Sequence, residues 1–592
     1  MSAVTSAFAK LNPFDKKKHS HHKIDDEDVG ERVDQGTVAG GGHASRQSAV
    51  TSHLRVSHAL RSFIVANHIL SEEEAGLDNL DETTHALKSL LNKPHIEVPR
   101  ELTDRSHPLP DYFISSSHNT YLLAHQLYGS ASATAYETAL KAGARCVEID
   151  AWDSDNKEEP KVTHGYTLTS HIPFRQVCET IRDVIDQEAK EAIDEQGYRA
   201  APILISLENH CDAHGQTRLA AILREVFGDR LLTKAIREKG THDQEAPITV
   251  IVEYHFPDEP DSSDESDTSE SEDETEKKAR HDYKAQKRET KEAVPAVIVP
   301  ELAELGVYAQ SCKPPNNAWF EKGVLEHSPH HPLINVSETG LASHMPAHNT
   351  LIARHNANHL MRVYPKGTRI SSRNLKPVPF WAVGAQICAM NWQTFGASMQ
   401  LNEALFAGTE GFVLKPRFLR LDQSGSGELY HTPTKSRHKM KLRLHIAGAT
   451  DIPVPQDKAA DMKPYLTCTL VHATSGDEPA KRKTAAYKQH KVTGFLHKGE
   501  NPPVTEPVWD EILEWDLPTD NGDPDHELVF LRMLIKSDDS FARNPIYAVS
   551  CVRLCTVRQA DWVFVRMLDL KGQETGCAVL VRLDVVSLGH LD

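Results

Sequence analysis

The sequence has no apolar run long enough to cross a bilayer as a helix, which takes about 20 residues. Its nine cysteines show neither the paired spacing of a zinc site nor the density of a small secreted disulfide framework, so we expect reduced, buried thiols. Basic residues are fewer than acidic ones: 66 Lys and Arg against 84 Asp and Glu give a formal net charge of −18. This charge argues against a nucleic-acid-binding protein, whose partner would itself be a polyanion.

The amino-terminal region lacks the apolar core of a signal peptide. Residues 1–50 are rich in Lys, His, Asp, Gly and Ser without apolar periodicity, and we expect them to form a disordered tail. These absences predict a cytoplasmic protein that associates with membranes only peripherally. We also expect it to act as a monomer.

A chain of 592 residues is too long for one hydrophobic core, so several folded units are expected. The first lies in 51–100, where Leu60, Phe63 and Ile64 recur at helical spacing and predict a small helical module. No loop with alternating acidic ligands, a central Gly and a final Glu occurs there. If the module is a remnant of EF-hand-like helix pairs, it should not bind calcium.

The middle of the chain follows an α/β pattern. Residues 101–256 alternate short apolar runs, such as 146–150 and 203–208, with amphipathic helices, which predicts parallel strands in a barrel or an open sheet. The stretch 257–295 opens with acidic residues, has too few apolar side chains to fold alone and is predicted to be a disordered linker. Strand-like runs resume in 296–420. Because neither part has enough strands to close, we predict one barrel split by the linker.

Four short segments carry charged or imidazole side chains at the ends of strand-like runs, where α/β barrels build active sites. They are SSSHNTY (115–121), VEIDAWD (147–153), HGYTLTS (164–170) and ISLENHC (205–211). The candidate residues that they supply are His118, Asn119, Glu148, Asp150, His164 and Glu208. All of these except the histidines offer only oxygen ligands, with three negative charges in total, which suits calcium and is poor for zinc.

Two histidines beside a divalent cation suggest phosphoryl transfer. The metal would acidify an attacking hydroxyl, one imidazole would stabilise the phosphorane and the other would protonate the departing oxygen. Each segment by itself is more often an ordinary polar strand end. Four segments that share one mechanism favour the catalytic interpretation.

These segments, together with 358–374, 380–394 and 411–419, closely resemble the X and Y boxes of eukaryotic phosphoinositide-specific phospholipases C. The order of units is similar to the delta-like type, in the shortened arrangement of fungi and plants that lacks a pleckstrin-homology domain. The resemblance implies a split (β/α)8 TIM-type barrel, preceded by the helical module and followed by a C2-type antiparallel β-sandwich in 438–592.

The resemblance also implies an activity. It is the calcium-dependent hydrolysis of phosphatidylinositol phosphates, with phosphatidylinositol 4,5-bisphosphate as the family substrate, to diacylglycerol and inositol phosphate through a cyclic phosphate. By matching positions, His118 would stabilise the transition state and His164 would be the general acid. Either Glu148 or Glu208 would accept the proton of the inositol 2-hydroxyl. The implied calcium ligands are Asn119, Glu148, Asp150 and Glu208, and the implied head-group contacts are Ser337, Arg362 and Tyr364.

Two departures from the family pattern bear on function. The usual pair of phosphate-binding lysines is replaced by Ile251 and Glu253, which should weaken the preference for a bisphosphate head group. Lys463 and Ser537 stand where the C2 calcium loops carry aspartates, so we expect a C2 domain that binds no calcium. The departures leave open a catalytically silent phosphoinositide-binding scaffold, and a phosphodiesterase of soluble glycerophosphodiesters is a third hypothesis.

Overall fold

The computed structural model describes most of the chain between residues 55 and 590. The described ranges are 55–80, 82–122, 131–163, 170–190, 201–235, 247–256, 297–366, 373–422, 427–430, 438–454, 462–476, 479–490, 500–518, 526–538 and 544–590. The predicted tail (1–50), the predicted linker (257–295) and His164 lie outside these ranges. In the described residues, no helix has the length and apolar character that a membrane span needs.

Three helices form a small amino-terminal module. They are α1 (His58–Ala66), α2 (Glu72–Ala75) and α3 (His85–Asn92). The Ser57 hydroxyl caps α1 by accepting a hydrogen bond from the backbone N of Leu60, and Ser71 forms a capping box with Glu74 at α2. The apolar face of the module packs against the carboxy-terminal sandwich, where the rings of Phe63 and Trp562 meet edge to face.

Eight parallel strands close into a barrel. With strands numbered in chain order, they are β1 (Tyr112–Ser117), β2 (Cys146–Trp152), β5 (Ile203–His210), β6 (Ile248–Glu253), β7 (Gln310–Cys312), β8 (Pro332–Ser337), β9 (Leu360–Tyr364) and β10 (Ile387–Met390). The ring closes because β1 pairs with both β2 and β10. Short antiparallel strands extend the sheet beside β2 and β1: β3 (Lys161–Val162), β4 (Ile172–Pro173) and β11 (Phe412–Leu414). The predicted TIM-type barrel is confirmed.

Helices cover the outside of the barrel. They are α4 (Thr134–Lys141), α5 (Phe174–Glu188), α6 (Ala213–Phe227), α7 (Pro300–Ala303), α8 (Ala318–Glu321), α9 (Glu338–Ala342), α10 (Asn349–Asn356), α11 (Pro377–Ala382) and α12 (Ala397–Phe406). Short 3-10 helices lie at Arg100–Thr103, Leu109–Asp111, Gly228–Arg230 and Arg417–Leu419. In α5 the helical spacing of Phe174, Val177 and Ile181 brings these side chains to one buried face, which packs on the outside of the sheet.

The barrel interior is divided into two layers by the two-residue period of its strands. Toward the amino ends of the strands, an apolar cluster fills the interior, with Ile114, Leu204 and Leu333 among its members. Further along the same strands the inward positions are polar, as at Ser206 on β5 and Arg362 on β9. The apolar layer forms the base of the barrel and leaves the mouth at the carboxyl ends for polar chemistry.

The carboxy-terminal domain is an eight-stranded antiparallel sandwich. Its strands are β12 (His438–Thr450), β13 (Pro464–Val471), β14 (Lys481–Lys483), β15 (Val508–Asp516), β16 (Phe530–Ser537), β17 (Ile546–Arg553), β18 (Trp562–Leu568) and β19 (Glu574–His590). It packs on the barrel through α12, where the buried Arg532 Nε donates to Gln400 Oε1 at 2.6 Å. Phe530 adds a ring contact with Trp381, which lies on the covering helix α11.

Candidate active site

Three carboxylates converge at the barrel mouth. Glu148 and Asp150 lie two residues apart on β2 and share its inward face, and Glu208 is the register partner of Asp150 on β5. One oxygen from each of the three lies within 4.8 Å of the others. Across the part of the chain that the structure describes, no other group of three or more His, Cys, Asp or Glu side chains converges in this way.

The Glu148 carboxylate is fixed by two donors. Its Oε2 accepts from the backbone N of Asn119 at 2.7 Å, and its Oε1 accepts from Arg362 Nη2 at 2.5 Å. Arg362 Nη1 donates to Asn335 Oδ1 at 3.1 Å and lies 3.9 Å from Glu208 Oε1. The side chains of Arg362 and Glu148 are only 2% and 1% exposed, so a buried guanidinium neutralises part of the acidic cluster.

Asp150 has one oxygen paired and one unpaired. Its Oδ2 accepts from the Tyr121 hydroxyl at 2.6 Å, whereas its Oδ1 is buried and has no hydrogen-bond partner. Burial, followed by the charges of Glu208 and Glu148, raises the pKa of Asp150 well above its usual value. The pKa of Glu208 is raised by burial and by Glu148. A buried, unpaired oxygen among mutually repelling carboxylates is a position where a cation would be stabilised.

Asn119 supplies an amide oxygen beside these carboxylates. Its backbone has a φ of 47°, in the left-handed region that Asn tolerates better than most residues. The Tyr121 hydroxyl, which donates to Asp150, lies 3.2 Å from Asn119 Oδ1, so the amide oxygen and the Asp150 carboxylate are close together. All the donors are oxygens, a set that fits a hard cation such as calcium.

His118 is held in one orientation. Its Nδ1 lies 2.8 Å from Asn391 Oδ1, and the Asn391 amide nitrogen donates to the backbone O of Arg373 at 3.0 Å. Because the amide nitrogen is used there, Asn391 Oδ1 faces the imidazole and accepts a hydrogen bond from Nδ1–H, which leaves Nε2 for a ligand. Burial, followed by the charge of Arg362, lowers the pKa of His118 to about 4.

The other predicted site residues are distributed around this centre. The buried Ser337 ends β8, its Oγ accepts from the backbone N of Gly340 at 3.0 Å, and it pairs in register with Tyr364 on β9. The Tyr364 ring lies 5.6 Å from the guanidinium carbon of Arg362. His164 lies outside the described residues, but Thr163 just before it donates its backbone N–H to the backbone O of Asp150 at 3.3 Å.

Three residues of the site were not identified from the sequence: Tyr121, Asn335 and Asn391. Tyr121 lies two residues after Asn119 within the SSSHNTY segment, so its position was a usable signal. Asn335 lies two residues before Ser337 on β8, and Asn391 directly follows β10, so their positions were also usable signals. Their bonding partners, Arg362 and His118, come from other strands and could not be identified in this way.

The two positions that depart from the family pattern lie on β6. Ile251 is 1% exposed and belongs to the apolar layer of the barrel interior. Glu253 is partly buried at the mouth, where burial, followed by the charge of Glu208, raises its pKa to about 8 while Lys313 opposes the shift. The site therefore has an additional carboxyl group where the family pattern has a cation.

The described residues of the C2 loops lack a carboxylate cluster. The Ser537 hydroxyl accepts from the backbone N of Lys463 at 3.0 Å, and the Lys463 carbonyl accepts from the backbone N of Asp538 at 3.0 Å. These bonds join the two loops directly. The expected absence of calcium binding by this domain stays a prediction, because residues 455–461 and 539–543 are not described.

Comparisons with known proteins agree with this geometry. Residues 105–250 match the family model of the phosphatidylinositol-specific phospholipase C X domain, and residues 302–418 match that of the Y domain. The crystal structure of PLC21 from L. pealei covers 90% of this chain and 63% of its own, with a TM-score of 0.64 at 21% identity, and supports the fold.

Curated relatives share more of the sequence. Human 1-phosphatidylinositol 4,5-bisphosphate phosphodiesterase zeta-1 is 32% identical over 474 residues, which are 76% of this chain and 69% of the relative. The Xenopus laevis delta-4 and human delta-1 enzymes are each 30% identical, over 77% and 81% of this chain. The chain spans only 57% and 60% of the lengths of these two delta relatives. By its domains, its barrel and these relatives, the chain belongs to the eukaryotic phosphoinositide-specific phospholipase C family, with a delta-like order of domains.

Proposed function

We propose that the protein is a calcium-dependent phosphodiesterase that cleaves phosphatidylinositol phosphates to diacylglycerol and inositol phosphate. The observation that carries this proposal is the convergence of three carboxylates at one barrel mouth, in a site that also contains His118. The names of the relatives specify phosphodiesterases of phosphatidylinositol 4,5-bisphosphate, which supports the reaction class.

Asn119, Glu148, Asp150 and Glu208 would hold calcium. The bound ion would neutralise phosphate charge and lower the pKa of the inositol 2-hydroxyl. Of the two candidate proton acceptors, Glu208 is the better placed. Both oxygens of Glu148 already accept hydrogen bonds, whereas the Glu208 side chain is 35% exposed.

The histidines would then act on the phosphate. His118, oriented by Asn391 through Nδ1, would stabilise the crowded phosphorus centre as an imidazolium, whose Nε2–H would donate to a phosphoryl oxygen; the anionic phosphate would favour this protonated form once bound. His164 would protonate the diacylglycerol oxygen and later activate the water that opens the cyclic phosphate. Its position in the sequence, directly after Thr163, supports this role because Thr163 is hydrogen-bonded to Asp150.

Ser337, Arg362 and Tyr364 would contact the inositol head group. The Arg362 side chain is already hydrogen-bonded to Glu148 and Asn335. It would therefore contribute a positive charge at a fixed position near the inositol ring. With Glu253 at the barrel mouth in place of a lysine, a monophosphorylated or unphosphorylated inositol lipid fits the site better than the bisphosphate, whereas Ile251 lies below the mouth in the apolar layer. The protein would act from the cytoplasm, as a monomer, on the membrane surface.

Hydrolysis of phosphoinositide vesicles, measured as released inositol phosphate, tests the proposal. Wild-type protein should be active with calcium and inactive with excess EGTA, and His118→Ala should lose about 10³-fold of the rate, within the range for a group that acts on the reacting centre. Vesicle binding without hydrolysis by the wild type would instead support the silent-scaffold hypothesis. Faster turnover of soluble glycerophosphoinositol than of vesicles would refute the lipid substrate.

A further inference from the structure

The side chain of Tyr121 contacts two of the proposed calcium ligands at once. Tyr121 is fully buried, and its hydroxyl oxygen lies 2.6 Å from Asp150 Oδ2 and 3.2 Å from Asn119 Oδ1. The two ligands come from different parts of the barrel, since Asn119 follows β1 and Asp150 lies on β2. Because a phenol carries one proton, the shorter contact, with Asp150 Oδ2, is the hydrogen bond, and Asn119 Oδ1 is a more distant neighbour of the same hydroxyl.

The contact with Asp150 also determines which oxygen remains for a metal. A tyrosine hydroxyl is protonated at neutral pH and donates to a carboxyl oxygen, and this hydrogen bond is strongest when the carboxyl is ionised, as it would be with a cation bound. Because Oδ2 is occupied in this way, the carboxylate cannot rotate freely, and Oδ1 is the oxygen left buried without a partner. The bond therefore holds Oδ1 in a single orientation.

The phenol is itself firmly anchored. The Tyr121 backbone O accepts from the backbone N of Ser132 at 2.9 Å. The Gln393 amide nitrogen, from the second half of the barrel, donates to the backbone O of Leu122 at 3.0 Å. These bonds secure the turn that carries both Asn119 and Tyr121, so the hydroxyl is a rigid support and not a mobile neighbour.

We propose that Tyr121 is a positioning residue that sets the calcium affinity of the site by orienting Asp150. This inference rests on the proposed calcium-dependent function. Tyr121 does not contact the reacting phosphate in this role. It should therefore govern how tightly calcium binds, and not how fast the calcium-loaded enzyme turns over.

Tyr136 provides a matched control. It is equally buried and lies in the same region, and its hydroxyl donates to the backbone O of Glu148 at 2.8 Å. Tyr136→Phe removes the same atom from a comparable environment without releasing a ligand oxygen. If calcium binds more weakly to Tyr121→Phe than to Tyr136→Phe, the cause is therefore the orientation of the ligand and not the general loss of a buried hydroxyl.

Calcium binding to the full-length protein without lipid, measured by isothermal titration, tests the inference, with Asp150→Asn identifying the signal of this site. We expect Tyr121→Phe to weaken that binding about 10- to 100-fold, the usual effect of removing a group that orients a metal ligand. Tyr136→Phe should bind calcium like the wild type. In vesicle assays the half-activating calcium concentration of Tyr121→Phe should rise by the same factor, with kcat at saturating calcium largely retained.

The inference would be overturned if Tyr121→Phe bound calcium as tightly as the wild type. It would also be overturned if Tyr121→Phe and Tyr136→Phe lost calcium affinity to the same extent. If a variant is less stable than the wild type, thermal unfolding measured with and without calcium still compares calcium binding between the variants. The rise in Tm that calcium produces, compared within each variant, should be smaller for Tyr121→Phe alone. If the wild type shows no Asp150-dependent calcium binding, the proposed function itself fails. If it does and Tyr121→Phe is unaffected, only the role of Tyr121 fails.

Discussion

The two halves of the barrel contribute different kinds of group to the same site. The first half supplies reactive and metal-binding groups, including His118, Glu148 and Asp150. The described groups of the second half mainly hold these in place: Arg362 pairs with Glu148, and Asn391 bonds His118. One half therefore carries most of the chemistry, and the other carries its electrostatic and geometric support.

This division means that neither half is a site by itself. Without Arg362, the first half would present a buried cluster of carboxylates with no compensating cation, which is unfavourable. Without Asn391, the His118 ring would lack the acceptor that selects its tautomer. Barrel closure and site assembly are therefore coupled, even though the chain between the halves contains a long insertion.

Of the changes considered, replacing Arg362 by Met should have the largest effect, because it removes the support that the second half gives to the carboxylates of the first. Removing one partner of a buried ion pair should lower the free energy of unfolding by about 3–5 kcal/mol in calcium-free urea titrations. Because the guanidinium competes with calcium for Glu148, calcium should bind about tenfold more tightly or better. Hydrolysis should still fall by about 10²-fold or more, as expected for loss of a preorganised donor near the phosphate.

Arg145→Met is the matched control for this change. Arg145 is also buried and forms a two-pronged ion pair with Glu188, with both N···O distances 3.0 Å, but it lies away from the acidic cluster. This variant should lose stability without any change in calcium affinity. If Arg362→Met instead bound calcium more weakly, Arg362 would be a support for the ligands and not a competing cation.

Asn391→Leu should have a smaller effect, confined to catalysis. The His118 ring would lose its acceptor, and misorientation of a catalytic group typically costs about 10²-fold in rate. Calcium affinity should stay at the wild-type value, because the Asn391 side chain bonds His118 and the backbone of Arg373, which are not among the proposed ligands. Steady-state kinetics on vesicles, combined with calcium titration, separates the two quantities.

Asn391→Asp gives the complementary result. The Asp side chain keeps an oxygen acceptor for His118 Nδ1 and loses the donor to the backbone O of Arg373. It should therefore recover most of the rate that Leu loses. A Leu variant with wild-type kcat would show that the tautomer of His118 is set by other groups.

Local patterns in the sequence predicted the barrel and the inward-facing pair on β2. In a strand, residues two apart share a face, and the oxygens of Glu148 and Asp150 do converge with Glu208. The partners Arg362 and Asn391 are separated from Glu148 and His118 by 214 and 273 residues. Such pairs depend on strand register and closure, which periodicity does not specify. Docking of the helical module on the sandwich was not predicted for the same reason.

Glu253→Lys should give the smallest change, in substrate preference and not in overall activity. A cation at the end of β6 could form a charge-assisted hydrogen bond with a ring phosphate, whereas Glu253, whose raised pKa of about 8 keeps it largely protonated at neutral pH, offers no positive charge. The ratio of the rates on bisphosphate and unphosphorylated inositol lipids should rise about tenfold, the lower end of what one such bond of roughly 1.5–3 kcal/mol gives.

Glu304→Lys controls for the change in net charge. Glu304 follows α7 on the approach to the amino end of β7, and its side chain is 72% exposed. A general gain in attraction to anionic vesicles would appear in both variants and for every anionic lipid. An increase specific to Glu253→Lys and to the bisphosphate would place the ring phosphates beside β6. If the ratio does not change, β6 does not take part in head-group recognition. The head group would then be bound only by the second half of the barrel, through Arg362 and its neighbours.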